Sequence, residues 1–124
     1  MAIAKTKTDL IGTDAAKQSI AAGASFTSAT LDCSVFAGID IGMEAVFGTV
    51  ATTAGAKCEV LGSPDNVSFD TIARLAFTIP AIASTTSQQS LPADPEIKYF
   101  KMKVTNLDAT NAISVWGYSV GMTI

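Results

Sequence analysis

Apolar and polar residues alternate along most of this chain with a period of two, the spacing that sends successive side chains to opposite faces of an extended strand. The clearest run is residues 98–106, where Phe100, Met102 and Val104 point one way and Tyr99, Lys101, Lys103 and Thr105 point the other. After the turn-forming residues Leu107, Asp108, Ala109, Thr110 and Asn111, Trp116, Tyr118, Val120, Met122 and Ile124 alternate with Ser119, Gly121 and Thr123. The simplest reading is an antiparallel hairpin from Ile97 to the last residue, with a loop of about five residues and one continuous bulky face turned to the core or to a subunit interface. A lone hairpin is marginal in water, so the other strands must pack over it.

The rest of the chain supplies those strands. Residues 24–34 carry Phe26 and Leu31 in a strand-like stretch, and residues 36–42 read as a loop. Residues 43–51 are apolar on both sides, with Met43, Ala45 and Phe47 against Val46 and Val50, the signature of a central strand in which Gly48 marks a bulge or a close backbone approach. Residues 57–61 alternate Cys58 and Val60 with Lys57 and Glu59. Gly62, Ser63, Pro64, Asp65 and Asn66 then form a turn whose Asp or Asn bonds back to the main chain. Strand resumes over 69–72 and over Leu75, Phe77 and Ile79, ending at Pro80. The Ser, Thr and Gln run within 82–91 is an edge strand or a surface loop, and residues 92–96 make a proline-stiffened corner.

With no amphipathic helix of useful length, these segments predict an all-β antiparallel β-sandwich or jelly roll of about seven or eight strands. Residues 1–22 stand apart, because Lys5, Lys7, Asp9, Asp14 and Lys17 are spread among Ala and Thr with few large apolar side chains. They read either as a frayed end with an edge strand near 18–22 or as an arm that orders on a neighbouring subunit and buries Leu10 and Ile11 there. Residues 23–124 then form the sandwich domain. Thr13 is placed to cap a single turn at 13–18.

Composition narrows the chemistry. Charged residues make up 15% of the 124 and hydrophobic ones 48%, so the surface is largely small and hydroxylated, as expected where partners cover much of it. A net charge of −3, with cations limited to Arg74 and seven scattered Lys, gives no footprint for nucleic acid. The chain has no His, which removes the commonest general base and transition-metal ligand. No apolar run follows Lys5 and Lys7, so neither a secretory signal nor a membrane span is expected, and the chain is expected to be made in a cytoplasm. In that compartment Cys33 and Cys58 read as reduced, buried thiols, with a disulfide between them as the lesser alternative. Two cysteines are too few for a zinc site.

The remaining candidates are weighed against plainer roles. Asp32, Asp40 and Glu44 are close in sequence, but paired-carboxylate catalysis needs a defined separation and a raised pKa, and acids beside Gly are usually turn formers. No catalytic residue, no metal ligand and no cofactor is therefore assigned. Asp65, Ser68 and Asp70 are the nearest approach to an oxygen-ligand Ca²⁺ loop, and a tight turn explains them as well. Trp116 and Tyr118 are either a sugar-stacking platform or part of a core or interface face.

Three stretches together resemble the small β-sandwich virion proteins of tailed bacteriophages. They are residues 23–32 (Gly23, Ser25, Thr27, Ser28, Leu31, Asp32), residues 60–71 (Val60, Gly62, Pro64, Asp65, Asn66, Phe69) and residues 98–106. The resemblance covers residues 18–124. It implies a structural protein of a phage particle, not an enzyme, assembling in many copies as a capsid decoration or cement or as a head-tail junction component. The implied partners are copies of itself and other virion proteins such as the major capsid protein, with no nucleic acid and no membrane, and the implied location is the virion. The alternative is a carbohydrate-binding module of a tail or surface protein that uses exposed aromatics.

Overall fold

The computed structural model describes residues 3–48, 54–93 and 98–123. They form ten strands: β1 (Ala4–Ile11), β2 (Gln18–Ile20), β3 (Ser25–Thr27), β4 (Leu31–Asp32), β5 (Gly38–Val46), β6 (Ala56–Ser63), β7 (Leu75–Ile79), β8 (Thr86–Ala93), β9 (Tyr99–Asn106) and β10 (Ile113–Thr123). The first sheet has the order β1-β10-β5-β8 with β2 also on β10, and the second β3-β9-β6-β7 with β4 also on β9. Every pairing is antiparallel. The chain passes from one sheet to the other six times, winding the two layers into one jelly roll. The all-β sandwich expected from the period-two pattern is what the chain forms.

The expected closing hairpin is not. β9 lies in the second sheet, paired with β6, β3 and β4, whereas β10 lies in the first, paired with β1, β2 and β5. Residues 107–112 bridge the layers instead of turning back within one. The dry face of β10 is also the opposite of the one its bulk suggests. Val115, Gly117 and Ser119 point inward, while Trp116, Tyr118, Val120 and Met122 point outward. The reason is space. A methyl group built on Gly117 would stand 2.6 Å from Met102 Sδ and 3.2 Å from Ile11 Cβ, and one built on Gly121 would strike the Phe36 ring. Side chains from elsewhere fill the interior beneath the second half of β10, so its inner positions from Gly117 onward must be small, whereas Ile113 and Val115 before them join the core.

Three further expectations change. Residues 38–42, read as loop, are the first half of β5, whose inward Ile39, Ile41, Met43 and Ala45, with Phe47 just beyond its end, form one wall of the core. Residues 69–72 lie in an irregular connection, not a strand. The Ser, Thr and Gln run is the edge strand β8, paired along its length with β5. The opposing wall is Ala56, Cys58 and Val60 of β6, Phe77 and Ile79 of β7, and Phe100, Met102 and Val104 of β9. Val50, Asp94, Pro95, Glu96, Ile97 and Ile124 lie outside the described residues.

Within the segment read as an edge segment or an arm, β1 and β2 pair with β10 of the first sheet. β1 runs in register along β10 from Ala4 opposite Thr123 to Asp9 opposite Tyr118. An irregularity at Leu10 then resets the alternation and turns Ile11 into this chain's own core, where it is fully buried. Lys5, Lys7 and Asp9 on one side with Thr6 and Thr8 on the other are a period-two edge strand whose apolar content is too low to announce itself. The helical turn expected at 13–18 does not form, since residues 14–16 are bends and Gln18 already belongs to β2, but the Ala16 N–H does donate to Thr13 Oγ1 at 2.9 Å.

The last crossing, from β9 to β10, is tied down in large part by one side chain. Asn106, the last residue of β9, is completely buried. Its Nδ2 donates to the carbonyls of Ile20 at 3.1 Å, Ala21 at 3.2 Å and Asn111 at 2.8 Å, and its Oδ1 accepts the Asp108 N–H at 3.0 Å. It thus ties the end of β2, in the first sheet, to the connection leaving the second. Asn106→Ala strands these buried groups and is expected to cost about 2–4 kcal/mol of unfolding free energy, read as a lowered urea midpoint with an unchanged slope.

Candidate interaction face

The outward residues of β10 lie along the middle of the first sheet, flanked by β1 on one side and by β5 and β8 on the other. Asp9 reaches Trp116 from β1: the indole Nε1–H donates to Asp9 Oδ1 at 2.8 Å. Lys7 Nζ stands 5.3 Å from the centre of the Trp116 ring, within cation–π range. The Trp116 and Tyr118 rings meet at 4.4 Å between centroids, tilted by 33°. Lys17 precedes Gln18, which pairs with Val115, while Glu44 pairs with Trp116 from the opposite strand, so their 3.3 Å ion pair crosses β10 at the tryptophan.

Tyr118 lies over Gly42 of β5, where any side chain would collide with the phenol. Beyond Gly42, the Gln88 amide of β8 donates to the Tyr118 hydroxyl. The result is two aromatic rings on an outer face that are nevertheless only 8% exposed each. A stacking platform for sugar needs an open ring face, and these rings are covered by Lys7, Asp9, Lys17, Glu44 and Gln88. Farther along the same face a shallow groove of about 460 Å³ is lined by Lys5, Gly38, Asp40, Pro92, Val120 and Met122.

The other sequence-derived candidates are dispersed. Leu10 is half-buried against the core and Ile11 fully buried within it. Asp32 is on β4 in the second sheet, and Asp40 and Glu44 are on the outer face of β5 in the first. Asp65 Oδ1 accepts the N–H groups of Ser68 at 2.8 Å and Val67 at 2.9 Å and the Ser63 hydroxyl at 3.1 Å, and the Ser68 and Val67 bonds hold its carboxyl below the usual carboxylate range. Asp70 Oδ2 accepts the Gly62 N–H at 3.1 Å. Both acids of the supposed calcium loop are thus engaged in closing their own turn. Ser34 N–H donates to Asp32 Oδ1 at 2.9 Å and likewise holds that carboxyl low.

Cys33 and Cys58 are both free and buried, in the turn after β4 and on the inner face of β6. Burial pushes the Cys33 thiol up to about 11 and the Cys58 thiol up to about 12, aided by the charges of Asp32 and Glu59 respectively. Sequence reading missed the covering polar shell of Trp116 and the clamp at Asn106. The usable signal for the first was the i, i+2 match of Lys5, Lys7 and Asp9 to Met122, Val120 and Tyr118 once β1 is paired with β10.

No family model matches the chain, and no curated protein sequence matches it. Among solved structures, VP2 of the infectious bursal disease virus subviral particle superposes on 98% of this chain with a TM-score of 0.59 at 12% identity, using 33% of that protein. The chain therefore spans about a third of VP2. The enzymatically active domain of tailspike protein 4 of bacteriophage CBA120 matches 94% of the chain and 17% of its own length, with a TM-score of 0.59 at 15% identity. A Bacillus endospore appendage protein, from disulfide-linked pili, matches 98% of the chain and 88% of its own length, with a TM-score of 0.51 at 10% identity. At these identities the likeness is one of fold.

Two measurements check the site. Asp9→Ala removes a charge-assisted acceptor from the partly buried indole and is expected to cost about 1–2 kcal/mol, with a red shift in the emission of the chain's single tryptophan. At mildly alkaline pH neither native thiol is expected to react with iodoacetamide, because a raised pKa keeps the thiolate scarce and burial blocks access, whereas both should label in urea.

Proposed function

We propose that this chain is a structural component of a virus particle, most specifically of a tailed bacteriophage, acting in many copies as a capsid decoration or as a head-tail junction piece. The observation that carries the reading is the jelly roll itself, which runs through the described residues and superposes on a protein of a viral particle over 98% of the chain. The sparse surface charge supports it, since faces meant to be covered need few ions. In this role contacts repeat by symmetry, and weak interfaces add through multivalency. Its partners would be copies of itself and particle proteins such as a major capsid protein. No catalytic step is assigned, because Asp32, Asp40 and Glu44 are spread over two sheets.

A second reading, as the repeating subunit of a surface fibre, is favoured by the extent of the match to the endospore appendage protein. Against covalent linkage of that kind stand the two cysteines, Cys33 and Cys58, both free and buried. Mass spectrometry and cryo-electron microscopy of purified particles distinguish the two. The chain is expected in particles at a copy number set by their symmetry. Its absence from particles would remove the first reading, and its presence in cell-surface fibres would replace it with the second.

A further inference from the structure

The edges of the two sheets are not equally protected. β1 carries Lys5, Lys7 and Asp9 and is broken by the irregularity at Leu10. β3 and β4 are short, at 3 and 2 residues, and β7 has 5 residues before Pro80. β8, by contrast, is 8 residues long, without a charged side chain, and in unbroken register with β5. Charges, bulges, shortness and proline are the devices that keep an edge from recruiting another strand, and β8 has only the last, at Pro92 near its end.

The direction of its free backbone groups follows from one bond. The Phe47 N–H donates to the Thr85 carbonyl at 3.1 Å. Bonded and non-bonded pairs alternate in an antiparallel ladder, so Ser87, Gln89 and Leu91 bond toward β5 while Thr86, Gln88 and Ser90 aim their N–H and C=O groups away from it. Among the described residues no backbone group accepts or donates to those outward sets. The next outward position is Pro92, which has no N–H to offer. At the other end the strand begins only at Thr86, after Ser84 with a φ of 56° and its N–H spent on the Gly48 carbonyl at 2.8 Å. The open segment is therefore bounded at both ends and is centred on Gln88.

We propose that β8 pairs antiparallel with β8 of a second copy of this chain, about a twofold axis through Gln88. In that register Gln88 faces its own counterpart, and Thr86 faces Ser90 of the second copy, each facing pair exchanging two backbone bonds. The facing Thr and Ser hydroxyls lie on one side of the sheet and can bond across the junction, and no like charges meet. Pro92 falls opposite Ser84, where the strand has already ended, so the missing N–H costs nothing. Each copy has one such edge, and the pairing closes as a dimer with the two first sheets joined into one. This identifies one of the self-contacts invoked above and rests on the many-copy reading.

The test is sedimentation equilibrium of the full chain across a concentration series, with two variants. The wild type is expected to approach twice the chain mass. Ser90→Pro removes one outward N–H at an exposed site and is expected to shift the equilibrium to monomer at unchanged far-ultraviolet dichroism. Gln88→Cys places a thiol at the axis, where facing Cα atoms about 5.5 Å apart are within disulfide reach, and mild oxidation is expected to give a covalent dimer. The buried Cys33 and Cys58 do not compete for that oxidation. A covalent Gln88→Cys dimer sustains the pairing even if Ser90→Pro fails to fold. A wild type that stays monomeric while Gln88→Cys does not cross-link overturns it, as does a dimer indifferent to Ser90→Pro. Such a failure would leave the particle role standing, because that role is judged by presence in particles.

Discussion

The architecture depends on the small inner positions in the second half of β10. Gly117 and Gly121 have no room for a side chain, and Ser119 between them is fully buried. That constraint sets two others. It lets Met102 of the facing sheet, Ile11 of β1 and Phe36 from the connection into β5 pack beneath the strand. It also sends the bulk of β10 outward, where the rings would be exposed if neighbouring strands did not cover them. Core packing and the makeup of the outer face are two results of one steric rule.

The outer face resolves the exposure of its aromatics with polar cover. Trp116 and Tyr118 keep their polar atoms bonded, to Asp9 and Gln88, and have ion-paired or cationic side chains around their rings. Such a surface is well ordered without being hydrophobic, which suits contacts that must be specific yet individually weak. β5 makes the arrangement possible by presenting Gly38 and Gly42 beneath Met122 and Tyr118.

How much of this the sequence discloses depends on the kind of signal. Strands whose faces differ sharply in polarity, β6, β7 and β9, were legible, since alternation is a local property and fixes which residues are buried. Sheet membership was not, because whether 107–112 turns back or crosses over is decided by Asn106 and its partners more than eighty residues away, Ile20 and Ala21. The reading of the bulky face of β10 stayed open between core and interface, because bulk is a good guide to burial only where the opposing layer leaves a cavity. β1 was misjudged because Lys, Thr and Asp pair well enough at an edge and leave little hydrophobic trace. Of the candidate site residues, the pairing of Trp116 with Tyr118 was visible from i, i+2 spacing, but the acids and lysines that cover them come from three other segments.

The place of β10 in its sheet also bears on how the molecule comes into being. It is the only strand bonded to β1, to β2 and to the central β5 alike, yet it is the last of the ten to be synthesised. During translation β1 and β2 must wait without their partner until β3 to β9 have been made. Closure of that layer is thus a long-range event, and the nascent polypeptide carries β1 and β2 unpaired over that interval, a period in which chaperones would find them.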